Sequence, residues 1–481
     1  MLAELNNIKL DKEKTGFFRF KRLNGHYLLT NDLGNHCLLD PIAFKDFLKG
    51  DIEGTRPSKN EELLNAGFIR NRLDLNGLSS RYSEKYAFLN QGPSLHIVVT
   101  TLRCDHSCLY CQAGSKSLAA KGFDMDISVA RKVVDTIFES TSPVITIEFQ
   151  GGEPLVNFET VKYIIEYALS KNKKAGKKLS FSLVSNLTFM TKERLKFFME
   201  NNVIICSSLD GPASLHDKNR ICAKNNSYKN TVKWLKAIIN EISRNKKYKG
   251  KTNALVTITK SSLKFPREIV DEYVRLGLEG VHLRPINPFG VGKSKWRKIG
   301  FSGKEFFNFY KKALDHIITL NLKGKDFYER TAKIFLTKIL TDKDLNFLDL
   351  RSPCGAGIGQ LAYNFNGDVY TCDEARMLSA AGDESFRLGN VFEDGYAGLI
   401  NNDIVKTTCV ASCLDGLPAC SKCVYKPYCG VCPIYNYVVE GNIFSSMLHN
   451  ERCKTNMLIL DYLFELMQDL KTKSIFYKWV S

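Results

Sequence analysis

At 481 residues and 54.4 kDa, the chain exceeds the ~250–300 residues at which one core stops growing, so two or three domains are expected. Its 44% hydrophobic and 25% charged residues exclude bulk disorder and collagen-like repeats, and no stretch approaches the ~18 uninterrupted apolar residues of a membrane span. It carries 68 Lys+Arg against 51 Asp+Glu, a formal charge of +17, and 15 cysteines.

The start, Met1-Leu2-Ala3-Glu4-Leu5, lacks a basic region followed by a long apolar one, so a cytoplasmic location is expected. Disulfides are rare there, which leaves metal or cluster ligation, or catalysis, as the account of the cysteines. Residues 16–33 read as a hairpin turning at Asn24-Gly25. Cys37-Leu38-Leu39 reads as a further strand, and short helices follow near 41–49 and 60–67. Residues 1–92 thus form a small β-plus-helix module. From Ser94, strand-like runs at 96–100, 144–149, 179–184, 203–205, 254–258 and 280–284 alternate with helical segments near 127–139, 157–170, 191–200, 227–244 and 266–276. Val129, Val133, Val134 and Ile137 show the spacing of an amphipathic helix. Six strands separated by helices predict an α/β fold, a parallel partial (β/α)6 TIM-type barrel over residues 93–345, with its site at the carboxyl ends of the strands. Helices near 304–320 and 328–340 follow. Residues 346–481 are a third, cysteine-rich unit ending in a helix near 455–470, and Ser352–Cys453 reads as too irregular to extend the same sheet.

Two basic runs stand out, at 171–174 and 244–249. They read as solvated helix ends and loops, or as a surface that steers an acidic peptide. With no ribonucleoprotein motif and no helix-turn-helix, nucleic acid ranks low as a partner.

Cys104-x3-Cys108-x2-Cys111 directly follows the first barrel-type strand. Three thiolates on one short loop can hold three irons of a [4Fe–4S] cube and leave the fourth open to chelate a small molecule. A zinc site would need a fourth ligand, and His106 lies between two of the cysteines, badly placed to share their metal. Gln150-Gly151-Gly152-Glu153-Pro154 follows the second strand: glycines allow a close backbone approach to a ligand, and Glu153 can accept from an ammonium. Further on, Cys420-x2-Cys423-x5-Cys429-x2-Cys432 precedes Cys453, while Cys354 and Cys372 lie upstream, with four residues between Gly367 and Cys372. A zinc ribbon expects roughly 15–20 residues between its Cys-x2-Cys pairs, against the five between Cys423 and Cys429. Cys37, Cys206 and Cys222 stand apart and read as buried small hydrophobes.

The first cysteine knot, with Tyr110 before its last member, resembles that of radical S-adenosylmethionine (SAM) enzymes, and the Gly-Gly-Glu-Pro turn resembles their SAM-amino motif. The resemblance implies SAM contacts at Tyr110, Gly151, Gly152, Glu153, Ser185 and Asn186, at Ser208 and Arg220 for the methionine carboxylate, and at Leu283 near the adenine. For Arg220 the alternative is a surface salt bridge. The chemistry implied is reductive homolysis of SAM to a 5′-deoxyadenosyl radical that abstracts hydrogen from a substrate.

The C-terminal array resembles the SPASM extension of peptide maturases, departing in its last gap, x2 for x3. That resemblance implies two auxiliary [4Fe–4S] clusters, one on Cys420, Cys423, Cys429 and Cys453. The other takes Cys354, Cys372 and Cys432, with Cys413 or Cys409 as fourth ligand or an open iron. Asp373 is then a general base or a structural turn. Longer strings, including Asp373-Glu374-Ala375-Arg376-Met377-Leu378 and Tyr425-Lys426-Pro427-Tyr428-Cys429-Gly430, resemble the His-Xaa-Ser system maturases (HxsB-like). Some members of that subgroup lack cysteine at the positions of Cys354 and Cys372. The implied substrate is a ribosomally made precursor peptide, its leader held by residues 1–92 through strand addition, with a flavodoxin or ferredoxin as electron donor. The alternatives are sulfatase-maturase-like oxidation of Cys or Ser to formylglycine, and modification of nucleic acid.

Overall fold

The computed structural model describes residues 9–51, 57–223, 226–245, 248, 252–343 and 348–481. The opening Met1–Leu5 and the lysines 246, 247 and 249 of the second basic run lie outside them. The first run is the last turn of the helix Phe158–Ala175, where Lys173 and Lys174 are exposed and Lys171 pairs with Asp135 at 2.5 Å.

β1 (Arg19–Leu23), β2 (His26–Thr30) and β3 (His36–Leu39) form an antiparallel sheet in that order, turning at Asn24 and Gly25, both at positive φ. Tyr27, Leu29, Cys37 and Leu39 pack with Phe44 and Phe47 of the helix Pro41–Leu48, so Cys37 is the small core residue expected. A second helix, Pro57–Asn65, covers the same core through Leu63, and the helix Leu75–Lys85 follows.

The central sheet holds the parallel strands β4 (Leu95–Thr101), β5 (Val144–Gly151), β6 (Lys178–Ser185), β7 (Ile204–Ser208) and β8 (Thr252–Ile258) in chain order. The expected sixth strand is split. β9 (Gly280–Val281) pairs with β11 (Tyr328–Glu329), and β10 (Leu283–Pro285) pairs with β8. Helices between the strands bury the predicted faces, and Val129, Val133, Val134 and Ile137 are all buried beneath Ile127–Phe138, whose first turn is capped by the Asp126 carboxylate.

One expectation fails. Ser352–Cys453 does extend the same sheet: β12 (Gln360–Tyr363) pairs parallel with β4, and β13 (Asp368–Tyr370) and β14 (Arg387–Asn390) continue antiparallel to give nine strands, β10-β8-β7-β6-β5-β4-β12-β13-β14. All four residues of β12 are buried, so it lacks the alternation that marks a half-exposed strand, and its Gly-rich flanks read as loop. The main core runs on through the C-terminal helices Glu451–Leu466 and Leu470–Val480, where Leu460, Leu463, Phe476 and Trp479 pack. No helix among the described residues is long and apolar enough to cross a membrane.

Candidate functional site

β4 delivers Cys104, Cys108 and Cys111 onto the loop that leaves its carboxyl end. That loop is zipped to residues 219–222: Ser107 N donates to Ile221 O at 2.8 Å, Leu109 N to Asn219 O at 2.9 Å, and His106 bridges Cys222. All 15 cysteines are free thiols, and the three of the loop are half-buried. Burial pushes the Cys108 thiol up to about 12, with Arg220 opposing, and raises Cys104 as well, so ligation here must displace protons. Among the described residues, one group of three metal-ligating side chains lies within 4.8 Å, Cys104 with Asp105 and His106. Both His106 ring nitrogens are engaged, Nδ1 with Asp105 Oδ1 and Nε2 with Ser227 Oγ, each at 2.8 Å, so the ring is a structural neighbour of the thiols. No three cysteines among these residues come so close. Thiolates sharing one tetrahedral zinc stand about 3.8 Å apart, given Zn–S near 2.3 Å, whereas a cube binds each thiolate to a separate iron and keeps them wider.

The Gly-Gly-Glu-Pro turn leaves β5 beside this loop. Gly152 N donates to Thr101 O at 2.8 Å and Glu153 N to Arg103 O at 2.9 Å. A Cβ on Gly151, at φ +143°, would lie 2.2 Å from Thr101 O, and one on Gly152 would lie 2.4 Å from Arg103 O. The glycines therefore serve a close approach to the backbone of the cysteine loop. The buried Glu153 carboxylate accepts from Ser185 Oγ at 2.7 Å, Asn186 N at 2.8 Å and Leu155 N at 3.1 Å. Burial nevertheless raises its pKa to about 7. Asn186 Nδ2 then reaches Asp105 Oδ1 at 2.9 Å, tying the end of β6 to the cysteine loop.

On the opposite side, Arg220 Nε donates to Asp210 Oδ1 at 3.1 Å, and Tyr110 OH donates to Asp210 Oδ2 at 2.6 Å. Asp210 is fully buried and Arg220 9% exposed, so this is an interior ion pair, unlike the surface pair weighed as its alternative. Burial works against the Arg220 charge, and Asp210, Tyr110 and Cys108 outweigh it. Ser208 ends β7, half-buried, two residues before Asp210. At the end of the split sixth strand the Leu283 side chain is fully buried in the main core, while the next residue, Arg284, turns the other way and pairs with Glu374 at 3.3 Å. The split sixth strand alternates faces as any strand does, and the polar member of the pair takes the open one.

The C-terminal cysteines gather into two sets. Cys354, Cys372 and Cys432 are buried in one cluster with Ile97, Phe289, Tyr370 and Phe386. Cys372 and Cys432 each cap a helix, Asp373–Ser379 and Pro433–Glu440, their sulfurs accepting from Ala375 N and Tyr435 N at 3.4 Å. Burial raises all three thiols, that of Cys354 to about 12, and Glu374 is the carboxylate whose charge reaches each. Of the two candidates for a fourth ligand, Cys409 interacts with Cys354, and Cys413, at the end of the helix Asp403–Ser412, interacts with Cys409. Cys420 and Cys453 pack around Val431 and Met447, and their charges couple with Cys423 and Cys429. β1–β3 close over this second set: Arg19 Nε donates to Ser421 O at 2.7 Å, Thr30 Oγ1 to Val424 O at 2.6 Å, and Tyr428 OH to Gly34 O at 2.7 Å.

Asp373, 7% exposed, accepts from Arg376 Nη2 at 2.7 Å and Nε at 3.1 Å, both through Oδ1. Arg376 is almost fully buried and reaches Ala113 O, just past Cys111, at 2.9 Å. It thus binds the C-terminal region to the first cysteine loop, a role that reasoning from the sequence missed because a helical Arg reads as surface. Asp210, His216 and Ser227 were missed too. The single cue was a Ser-Leu-Asp-Gly-Pro turn followed by His216. Cys222 is buried as expected, its Sγ 3.9 Å from Asp105 Oδ2, whereas Cys206 is only half-buried on β7.

Residues 98–260 match the family model of the radical SAM superfamily. The chain is 24% identical over 335 residues to a cysteine-type anaerobic sulfatase-maturating enzyme of Clostridium novyi, covering 68% of this chain and 83% of that one. It is 23% identical over 437 residues to the antilisterial bacteriocin subtilosin biosynthesis protein AlbA of Bacillus subtilis, covering 88% and 84%. Among solved structures, native anSMEcpe with bound AdoMet has the same fold at TM-score 0.65 and 20% identity, covering 79% of this chain and 99% of that one. Streptococcus suis SuiB bound to precursor peptide SuiA follows at TM-score 0.53 and 13% identity, covering 90% and 97%.

Proposed function

We propose, from the premise that this chain carries a radical SAM domain over residues 98–260, that it is a peptide maturase. In this reading it cleaves SAM and abstracts hydrogen from a ribosomally made precursor peptide, installing a crosslink or another oxidative change. The observation that carries this reading is the joining of the Gly-Gly-Glu-Pro turn to the three-cysteine loop by Gly152 N–Thr101 O and Glu153 N–Arg103 O, both under 3 Å.

The donor set fits a [4Fe–4S] cube: three thiols on one loop, spread wider than a zinc site, beside polar groups suited to an amino acid. When bound and reduced, such a cluster supplies the electron that breaks a carbon–sulfur bond of SAM. The protein's own part is to hold and desolvate. Glu153, already raised toward neutrality by burial, offers acceptors to an ammonium, and Arg220 offers donors to a carboxylate. Ser185, Asn186, Ser208 and Tyr110 belong to this role in the same reading, with Arg284 taking the position assigned to Leu283.

Cys354, Cys372 and Cys432, and separately Cys420, Cys423, Cys429 and Cys453, would hold two auxiliary clusters. The fourth place of the first is left to Cys413, Cys409 or substrate. A flavodoxin or ferredoxin would supply electrons, and β1 and β3, the edge strands of the N-terminal sheet, would take an extended leader. The similarity to AlbA and the fold shared with SuiB support a peptide substrate, and assignment to the His-Xaa-Ser system rests on the strings quoted above.

A second reading, formylglycine formation, is supported by similarity to the sulfatase-maturating enzyme and by Asp373 directly after Cys372. Anaerobically reconstituted protein tests the proposal. About 12 irons per chain, 5′-deoxyadenosine on adding SAM and reductant, and a two-hydrogen loss from the peptide without an aldehyde-reactive product are expected. About four irons would remove the auxiliary clusters, and zinc alone would remove the class.

A further inference from the structure

Between the two candidate SAM-contacting sets runs a buried chain of hydrogen bonds that neither the motifs nor the family account for. Asp210 N, which can only donate, points at His216 Nδ1 at 3.2 Å. His216 therefore accepts on Nδ1, and as a neutral ring it carries its proton on Nε2, 2.8 Å from Ser227 Oγ. The hydroxyl has one proton of its own, and it remains for His106 Nε2, also at 2.8 Å. His106 Nδ1 in turn faces Asp105 Oδ1 at 2.8 Å and Asn186 Nδ2 at 2.9 Å, which joins the ring directly to the Glu153–Asn186 set. Ser227 and His106 are 3% and 4% exposed, and His216 is fully buried.

The chain closes on itself. Asp105 also accepts from Asn186 Nδ2, and Asn186 N donates to Glu153. At the other end Asp210 holds both Arg220 and Tyr110, and Tyr110 lies on the cysteine loop. The loop is thus gripped at Asp105–His106 and at Tyr110 by one circuit that passes through Ser227. Apolar packing could press the same segments together, but it would not fix the rotation of a guanidinium relative to a carboxylate. A complete polar chain does, and a broken one leaves buried groups unpaired.

We propose that His106, Ser227 and His216 are positioning residues that lock the Glu153–Asn186 set and the Asp210–Arg220 set onto the cysteine loop, so that the amino-acid end of SAM is held from both sides as one unit. The proposal rests on the radical SAM reading. Ser227 is its cleanest probe, since it is placed neither on the cluster nor on SAM.

Reconstituted wild type, Ser227→Ala and Ser227→Thr are compared for iron content, thermal unfolding, SAM affinity by anaerobic calorimetry, and the change SAM causes in the electron paramagnetic resonance spectrum of the reduced cluster. Ser227→Ala is expected to keep its iron, lose SAM affinity by about tenfold and show a diminished spectral change, with Ser227→Thr restoring both. His216→Phe, which keeps a ring against Tyr228 and removes the hydrogen bonds, is expected to follow Ser227→Ala, and it stands in if that variant does not fold. Unchanged SAM affinity in Ser227→Ala, or in His216→Phe where it stands in, overturns the proposal, as does Ser227→Thr being as weak as Ser227→Ala. A wild type that holds no cluster or binds no SAM removes the reading beneath it instead.

Discussion

The first cysteine loop and the C-terminal cysteine sets use the same side chain in opposite surroundings. Cys104, Cys108 and Cys111 are half-buried amid charge: Asp105, Glu153, Asp210 and Arg220 all stand close enough to influence them. Cys354, Cys372 and Cys432 lie among aromatic and aliphatic side chains, two of them capping helices. Cys420, Cys423, Cys429 and Cys453 sit beneath the β1–β3 sheet. A site that must admit a zwitterionic small molecule needs fixed polar partners. Under the proposed function, the C-terminal sets would hold clusters shut away from water, where an apolar shell controls solvent access. The contrast predicts that damage at the first site removes chemistry outright, and that damage at the others uncouples or destabilises.

The largest effect is expected from Cys108→Ala: 5′-deoxyadenosine formation should vanish, measured by chromatography after SAM and reductant, with iron falling by about four per chain. Retained cleavage would refute the ligand assignment. Next comes Asp373→Ala, expected to spare SAM cleavage while peptide product drops by about 100-fold or more, as for loss of a general base. Because Arg376 takes Oδ1 twice, the other oxygen is the one left to accept a proton. Normal product yield would reduce Asp373 to an anchor for Arg376.

Cys429→Ala sharpens the comparison from the other side. It should again cost about four irons, yet leave deoxyadenosine formation without peptide within a few-fold of wild type. It also removes the sulfur that Asn456 Nδ2 approaches at 3.7 Å, so the thermal midpoint should fall. Full loss of SAM cleavage would mean that the two regions are not separable in this way.

A smaller, titrating difference is expected at Glu153. Its folded pKa near 7 lies above the ordinary value of 4.5, so between those values the folded protein holds a proton that the unfolded chain has lost. Stability of the apoprotein should therefore fall as pH rises from about 4.5 to 7, by up to about 3 kcal/mol. Glu153→Gln should flatten that slope in denaturant titrations at a series of pH values, and an unchanged slope would place the titration elsewhere.

The same contrast explains what the sequence made legible. The barrel helices alternate apolar and polar faces, so Ile127–Phe138 and Ser227–Arg244 could be read to within a residue, and β4, buried on both faces, was long enough to read as an apolar run. β12 could not, because a strand buried on both faces has no period and four residues carry little signal. The cysteine loop and the Gly-Gly-Glu-Pro turn were readable because their spacing is local. The Asp105–His106–Ser227–His216 chain joins residues up to 121 positions apart, and nothing in the linear order marks Ser227 as their meeting point. The side chains of Leu283 and Arg284 take opposite faces, because in a strand one residue reverses the face.

The smallest expected effect tests how the N-terminal sheet is held on the second C-terminal set. Tyr428 is fully buried, and its hydroxyl donates to Gly34 O at 2.7 Å across that junction. Tyr428→Phe keeps the ring, including its contact with Phe464, and leaves one carbonyl without that donor. A loss of about 1–2 kcal/mol is expected in chemical denaturation, with deoxyadenosine formation unchanged and faster proteolysis within residues 9–51. Thr30→Val, which removes the bond to Val424 O, should act in the same direction, and the two together should add only if the junction yields at two independent points. If neither variant changes proteolysis of the N-terminal segment, the sheet is held mainly by the ion pairs Asp32–Lys426 and Lys21–Asp461, and the contrast between a polar first site and an apolar second one stops at the edge of the cysteines.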